Sequence, residues 1–241
     1  MKKVCLLAYV VLSSFIVKAQ NVDIGTTTPN PSALLHLELG TNDTKGFLIT
    51  GNRNTSAPVP DLGPGSRLMF FPGKVAFRAG YVTGTEWDNA NVGLYSVAFG
   101  AGTIASGNIS TALGSSTLAR GTFSIAVGRS TTANGENSTA MGTSTFAGGS
   151  YSTAMGRGTN ANGEYSTAIG HNTSANGLVS TAMGYGTQAS GQYSMATGNN
   201  SIASGIASIA VGNGAFASGD YSTALDIPHL PVDSMPQPRD I

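Results

Sequence analysis

Ser152-Thr153-Ala154-Met155-Gly156-Arg157-Gly158-Thr159-Asn160-Ala161-Asn162-Gly163-Glu164-Tyr165 is one copy of a phrase, S-x-A-x-G-x-x-T-x-A-x-G-x-x, that returns every 14 residues from Ser96 to about Leu225. Serine opens each turn, from Ser96 and Ser110 through to Ser222, and alanine follows two places later, from Ala98 through to Ala224. A fixed period this short marks a stack of repeats, each burying its inner face against its neighbours.

Numbering the phrase from 1 to 14, its halves share the pattern (S/T)-x-A-x-G-x-x, so each turn reads as two short strands with two corners. Alternation along a strand puts positions 1 and 3 on one face and positions 8 and 10 on the matching face of the second strand. Those positions hold Ser, Ala, Thr and Ala, as in Ser152, Ala154, Thr159 and Ala161. Only small side chains are accepted there, which describes the lumen of a narrow, flattened solenoid. The glycines at positions 5 and 12 are expected at the corners, where the chain bends through φ values that a side chain forbids.

The outward positions are unequal. Position 4 carries Phe99, Leu113, Val127, Met141, Met155, Ile169, Met183, Val211 and Leu225, interrupted only by Thr197. Position 11 on the other strand is polar, with Ser106, Arg120, Asn134, Asn162 and Asn176 among its members. Rungs about 4.8 Å apart turn position 4 into an apolar stripe roughly 40 Å long, more than a soluble monomer normally exposes. Ordering a residue costs about 1 to 2 kcal/mol of backbone entropy, while a buried large apolar side chain returns about 1.5 to 3 kcal/mol. A lumen of Ala and Ser returns little, so the nine apolar residues of position 4 are expected to be an interface between identical chains, which present identical stripes in register.

The lead-in and the ends read differently. Lys2 and Lys3, the apolar run Val4 to Val17 and the segment Val17-Lys18-Ala19-Gln20 predict a signal peptide over 1–19 with cleavage after Ala19. Cys5, the single cysteine, leaves with it, so the mature chain has no thiol and no cysteine metal site. Residues 20–95 form a small mixed or β lead-in. Strands are expected at Arg67–Phe71 and Lys74–Val82 around a Pro72-Gly73 turn, and Trp87 is read as a cap over the first rung. The repeats occupy 96–225, and 226–241 form a Pro-rich tail expected to be disordered.

Thirty-three glycines, 10% charged residues and a formal net charge of zero fit a repetitive extracellular scaffold and leave no basic stripe for nucleic acid. No catalytic constellation is visible. His36, His171 and His229 stand apart, and Glu136 and Glu164 are polar-corner carboxylates with no neighbour to raise a pKa. Neither a metal site nor a cofactor is expected, and the chain is read as a non-enzyme. Position 14 carries Phe123, Tyr151, Tyr165, Tyr193 and Tyr221; the four tyrosines are candidate surface-binding residues, with packing over neighbouring corners as the structural alternative.

The phrase, with Ser, Ala and both Gly columns matching over successive turns, resembles the head repeat of trimeric autotransporter adhesins of the YadA type. The resemblance covers about half of the chain. It implies an all-β fold, a left-handed parallel β-roll of 14-residue repeats, three rolls side by side as a homotrimer, and a secreted or cell-surface head that binds host extracellular matrix protein or glycan. The family's coiled-coil stalk and membrane strands have no counterpart here, and no transmembrane anchor is expected. Two other readings stand beside it: a phage-fibre-like or matrix scaffold without a receptor, and an ice-binding solenoid suggested by the row Thr139, Thr153, Thr167 and Thr181 at position 2.

Overall fold

The computed structural model describes residues 48–226, and the backbone of two short strands before them, β1 (Val22–Ile24) and β2 (Leu35–Leu37). The segment expected to be a signal peptide, 1–19, and the tail beyond Asp226, with His229, lie outside the described residues. Two units are distinguished, Met1–Thr50 and Gly51–Ile241. In the first, β1 and β2 pair in parallel, Val22 opposite Leu35 and Ile24 opposite Leu37.

The second unit is a parallel β-solenoid. Each turn contributes a long strand over positions 2–6, such as Thr153–Arg157, and a short one over positions 9–10, such as Asn160–Ala161. Long strands stack only on long strands and short only on short, in a twelve-stranded and a nine-stranded sheet. The register is one whole repeat throughout: Ala140 lies between Ala126 and Ala154, and Met155 between Met141 and Ile169. This is the all-β solenoid of 14-residue turns that the spacing predicts.

The lumen is as the sequence has it. Alanines of positions 3 and 10 from Ala98 to Ala210 have no accessible surface, and the Ser and Thr columns of positions 1 and 8 are buried beside them. In five turns the position 1 hydroxyl donates to the glycine carbonyl three residues earlier, for example Ser138 Oγ to Gly135 O at 2.6 Å and Ser194 Oγ to Gly191 O at 2.7 Å, whereas the hydroxyls of Ser124, Ser152, Ser166 and Ser180 are buried with no partner. The same carbonyl also accepts the serine's backbone N–H, as Gly135 O does from Ser138 at 3.3 Å.

The glycine columns need correction. Position 5 lies within the long strand rather than at a corner. Gly142 there has φ of 122°, and a Cβ on it would stand 1.9 Å from the carbonyl oxygen of Gly156. Position 12 shows no left-handed φ at all; its glycine is required by stacking, since a Cβ on Gly135 would stand 1.9 Å from Gly149 O. The left-handed residues are at positions 7 and 14, where Ser144 and Asn172 but also Tyr151, Tyr165 and Val179 have φ between 53° and 58°. Backbone bonds between turns hold these corners, such as Tyr165 N–H to Ser150 O at 2.9 Å and Ser144 N–H to Arg129 O at 2.9 Å. Side-chain preference yields there to the ladder.

The N-terminal end is closed by an antiparallel hairpin, β3 (Gly65–Phe71) and β4 (Ala76–Val82), with β4 hydrogen-bonded in parallel to the first long strand, Val97–Ala101. Its turn is longer than expected, Pro72–Val75. Lys74 is taken inward to donate from Nζ to Asn89 O at 2.6 Å and Val92 O at 2.8 Å. Burial, and second the Arg78 charge, hold the Lys74 ammonium below its ordinary pKa. Trp87 is buried with Val59, Ala76, Val82 and Val92, and its Nε1 donates to Thr103 O at 2.9 Å, which is the capping role expected of it.

β4 is a degenerate long strand. Arg78 stands opposite Ala98 and Gly80 opposite Gly100, so Ala76-Phe77-Arg78-Ala79-Gly80 occupies the slots of S-x-A-x-G with arginine in the lumen. Arg78 is fully buried and donates from Nη1 to Phe77 O and Ser96 O, and from Nη2 to Ser96 Oγ and Ala105 O, at 2.7 to 3.1 Å. Burial lowers its pKa to about 10.

Candidate functional site

The outer face of the long-strand sheet carries positions 2, 4 and 6, because positions 1 and 3 are committed to the lumen. The column at position 4 runs unbroken in register from Phe99 through Leu113, Val127 and Met141 to Leu225. Phe99, Met141, Met183, Val211 and Leu225 are exposed, whereas Leu113, Val127, Met155 and Ile169 are half-buried by their neighbours in the stack. At the capped end the position 4 slot of β4 is Ala79, and the ring of Phe77, from the adjoining position 2 slot, packs 5.3 Å from that of Phe99. Position 2 adds Ile125, Met195 and Ile209 to the exposed apolar surface. Its threonines, Thr139, Thr153, Thr167 and Thr181, are half-buried and stack in register beside position 4.

The short-strand face is less polar than position 11 suggests. The short strands comprise positions 9 and 10 alone, so position 9 is the residue they present outward, and it holds Ile104, Leu118, Phe146, Ile202 and Phe216 as well as polar residues. Phe216 is 61% exposed. A two-residue strand has no alternation to read, which is why the sequence pattern passed this column over. Position 11 does stay polar, and Asn162 Nδ2 donates to Asn176 Oδ1 at 2.8 Å along it.

The corner tyrosines are all exposed. Tyr151 and Tyr165 form a stacked pair, ring centroids 5.0 Å apart and planes 9° from parallel, while Tyr193 and Tyr221 stand singly, the latter 79% exposed. The Glu164 carboxylate beside Tyr165 pushes its phenol pKa up. His171 is half-buried at position 6 with its ring 4.9 Å from that of Tyr185. Among the described residues there is no cluster of three or more His, Cys, Asp or Glu side chains, and no helix is long and apolar enough to cross a membrane.

No curated protein matches the chain. The family model described as "YadA head domain repeat" matches at 92–117, 119–145, 147–173, 175–201 and 203–225, together more than half of the chain. The matched segments follow one another with single-residue gaps over the whole solenoid. Heads of this type are trimeric, surface-exposed adhesin modules, a structural family rather than an enzyme family. By its register, its lumen and this match, the chain belongs to the YadA head domain repeat family.

Proposed function

We propose that the chain is an adhesive head that assembles as a homotrimer through the outer face of the long-strand sheet and meets host extracellular matrix protein or glycan with its exposed corners. The observation that carries the reading is the position 4 column. An apolar row about 40 Å long stands on a wall whose own lumen is filled only by Ala, Ser and Thr. Burial of such a row against further copies supplies the apolar contact that the lumen lacks. The nine residues named for this interface, from Phe99 to Leu225, belong to one sheet face, as a shared interface needs.

Sedimentation of the mature chain at micromolar concentration tests the assembly, with the mass of three chains expected; a folded monomer overturns it. Met155→Asp, which puts a charge at the middle of the row, is expected to dissociate or unfold the head, and unchanged mass and melting count against the stripe.

For adhesion, Tyr151, Tyr165, Tyr193 and Tyr221 offer ring surface to a sugar or an extended peptide. Binding of the trimer to matrix-protein and glycan panels is expected to fall in Tyr193→Ala; panels on which no component binds leave a scaffold without a receptor. Secretion through the signal peptide is checked by sequencing the N-terminus of the exported chain, expected at Gln20.

A further inference from the structure

Positions 6 and 13 stand at opposite edges of the long-strand sheet. Position 6 ends each long strand, as Arg157 ends Thr153–Arg157, and position 13 lies in the corner that leads into the next. Arginine occupies position 6 in two turns, at Arg129 and Arg157, and these are the two turns in which position 13 is glutamate, at Glu136 and Glu164. The remaining turns carry neither arginine nor lysine at position 6 and no glutamate at position 13. Asp220, the other acid at position 13, is engaged with the backbone N–H of Ile206 at 2.9 Å.

All four side chains are exposed. Within a turn, Arg and Glu are separated by the width of a five-residue strand, about 16 Å, beyond the reach of an ion pair. Along its own column Arg129 lies between Ser115 and Thr143, and Arg157 between Thr143 and His171, so neither has a carboxylate above or below it. The sheet face therefore has a basic edge and an acidic edge at the same two levels, with the apolar row between them.

Copies related by rotation about an axis parallel to the stack meet basic edge to acidic edge, and every seam of the ring is the same contact. A copy turned end over end meets its neighbour with like edges together. The half-turn of rise between positions 6 and 13, roughly 2.4 Å, is within the length of an Arg or Glu side chain. We propose, on the basis of the trimeric reading above, that Arg129 and Arg157 of one copy pair with Glu136 and Glu164 of the next at each seam. The two pairs fix the parallel orientation and the register of the assembly. A duplication of two turns would repeat the charges without any such contact, and charge exchange separates the two explanations.

The experiment is sedimentation and circular dichroism of three full-length mature chains beside the wild type. One carries Arg129→Glu and Arg157→Glu, one carries Glu136→Arg and Glu164→Arg, and one carries all four changes. The first two, with like-charged edges, are expected to assemble at least tenfold more weakly while keeping the β spectrum, and the third to regain wild-type assembly. Mixing the first two is expected to give pairs and no restored trimer, because a three-membered ring of two chain types always leaves one like-charged seam. Trimers of unchanged strength in the first two, or a fourfold variant that stays dissociated, overturn the seam and leave the trimer standing. A wild-type chain that is itself monomeric removes both. Should the charge-reversed chains not fold, the wild type beside its four-glutamine counterpart decides: its assembly alone is expected to weaken between about 0.1 M and about 1 M salt, and equal behaviour overturns the proposal.

Discussion

The same cross-section is filled in two ways. Along the stack Ala, Ser and Thr fill it, every turn alike, so that each rung is a fair floor for the next. At the N-terminal end it is closed by Arg78, Trp87, Val59 and Val82, none of which recurs. The difference shows that the repeat sets a cross-section and a length but carries no instruction to stop. A stack of interchangeable turns leaves its last lumen and its last row of backbone carbonyls unserved, and ending it takes side chains large enough to reach across. Trp87 serves the short-strand side by donating to Thr103 O, and Arg78 serves the long-strand side through Ser96 O and Ser96 Oγ.

If the plug is a single cooperative lid, Trp87→Ala should be among the most damaging substitutions, at about 3 to 5 kcal/mol for a buried tryptophan. The damage should also be directional. Amide exchange is expected to lose protection first in Val97–Ala101 and Thr111–Ser115 and last in Thr181–Tyr185. Uniform loss along the stack would mean that the lid and the turns unfold as one body. By contrast, Ala154→Val overfills one rung of a lumen that has no spare room, with an expected cost of about 1 to 3 kcal/mol centred on its neighbours Ala140 and Ala168. Denaturant midpoints for the two variants check the order; a costlier Ala154→Val would reverse the comparison.

Much of the stack was legible because the lumen admits so few residue types. The Ser, Ala and Thr columns identify the inward face without further help, and Trp87 is readable as a cap because it is alone of its kind. The corners were not legible, since the residues at left-handed φ include Tyr165 and Val179, against their own preference, and the constraint there comes from bonds between turns rather than from the residue. Position 9 was passed over for want of alternation in a two-residue strand such as Phe146–Ala147. Arg78 escaped for a different reason: Ala76 to Gly80 does follow the repeat pattern, but it stands 20 residues before its partner strand instead of 14, with Gly80 opposite Gly100, and carries a charge where the pattern has alanine. Of the candidate surfaces, the apolar row was legible as a column, whereas its charged edges emerge only when positions 6 and 13 are seen at opposite ends of one strand.

Arg78 gives the finest test of the comparison, because a lid needs bulk and need not be charged. Two of its four hydrogen-bond acceptors have another donor: Ser96 O also accepts Phe77 N–H at 3.0 Å, and Ala105 O also accepts Gly93 N–H at 2.9 Å. Arg78→Met keeps much of the volume and removes a buried cation, so its stability near pH 7 is expected to lie within about 1 kcal/mol of the wild type. The pH dependence gives the sign. Burial lowers the guanidinium pKa to about 10 in the folded chain, so between that value and the ordinary arginine range the unfolded chain holds the proton that the folded chain has released. Stability from this group therefore rises with pH across that window and is lost as pH falls through about 10. Urea midpoints of wild type and Arg78→Met, measured from neutral pH upward, are expected to shift in the wild type's favour as the solution becomes alkaline. Parallel curves would mean that the arginine keeps its proton as firmly in the lumen as in water, and that the lid relies on its charge after all.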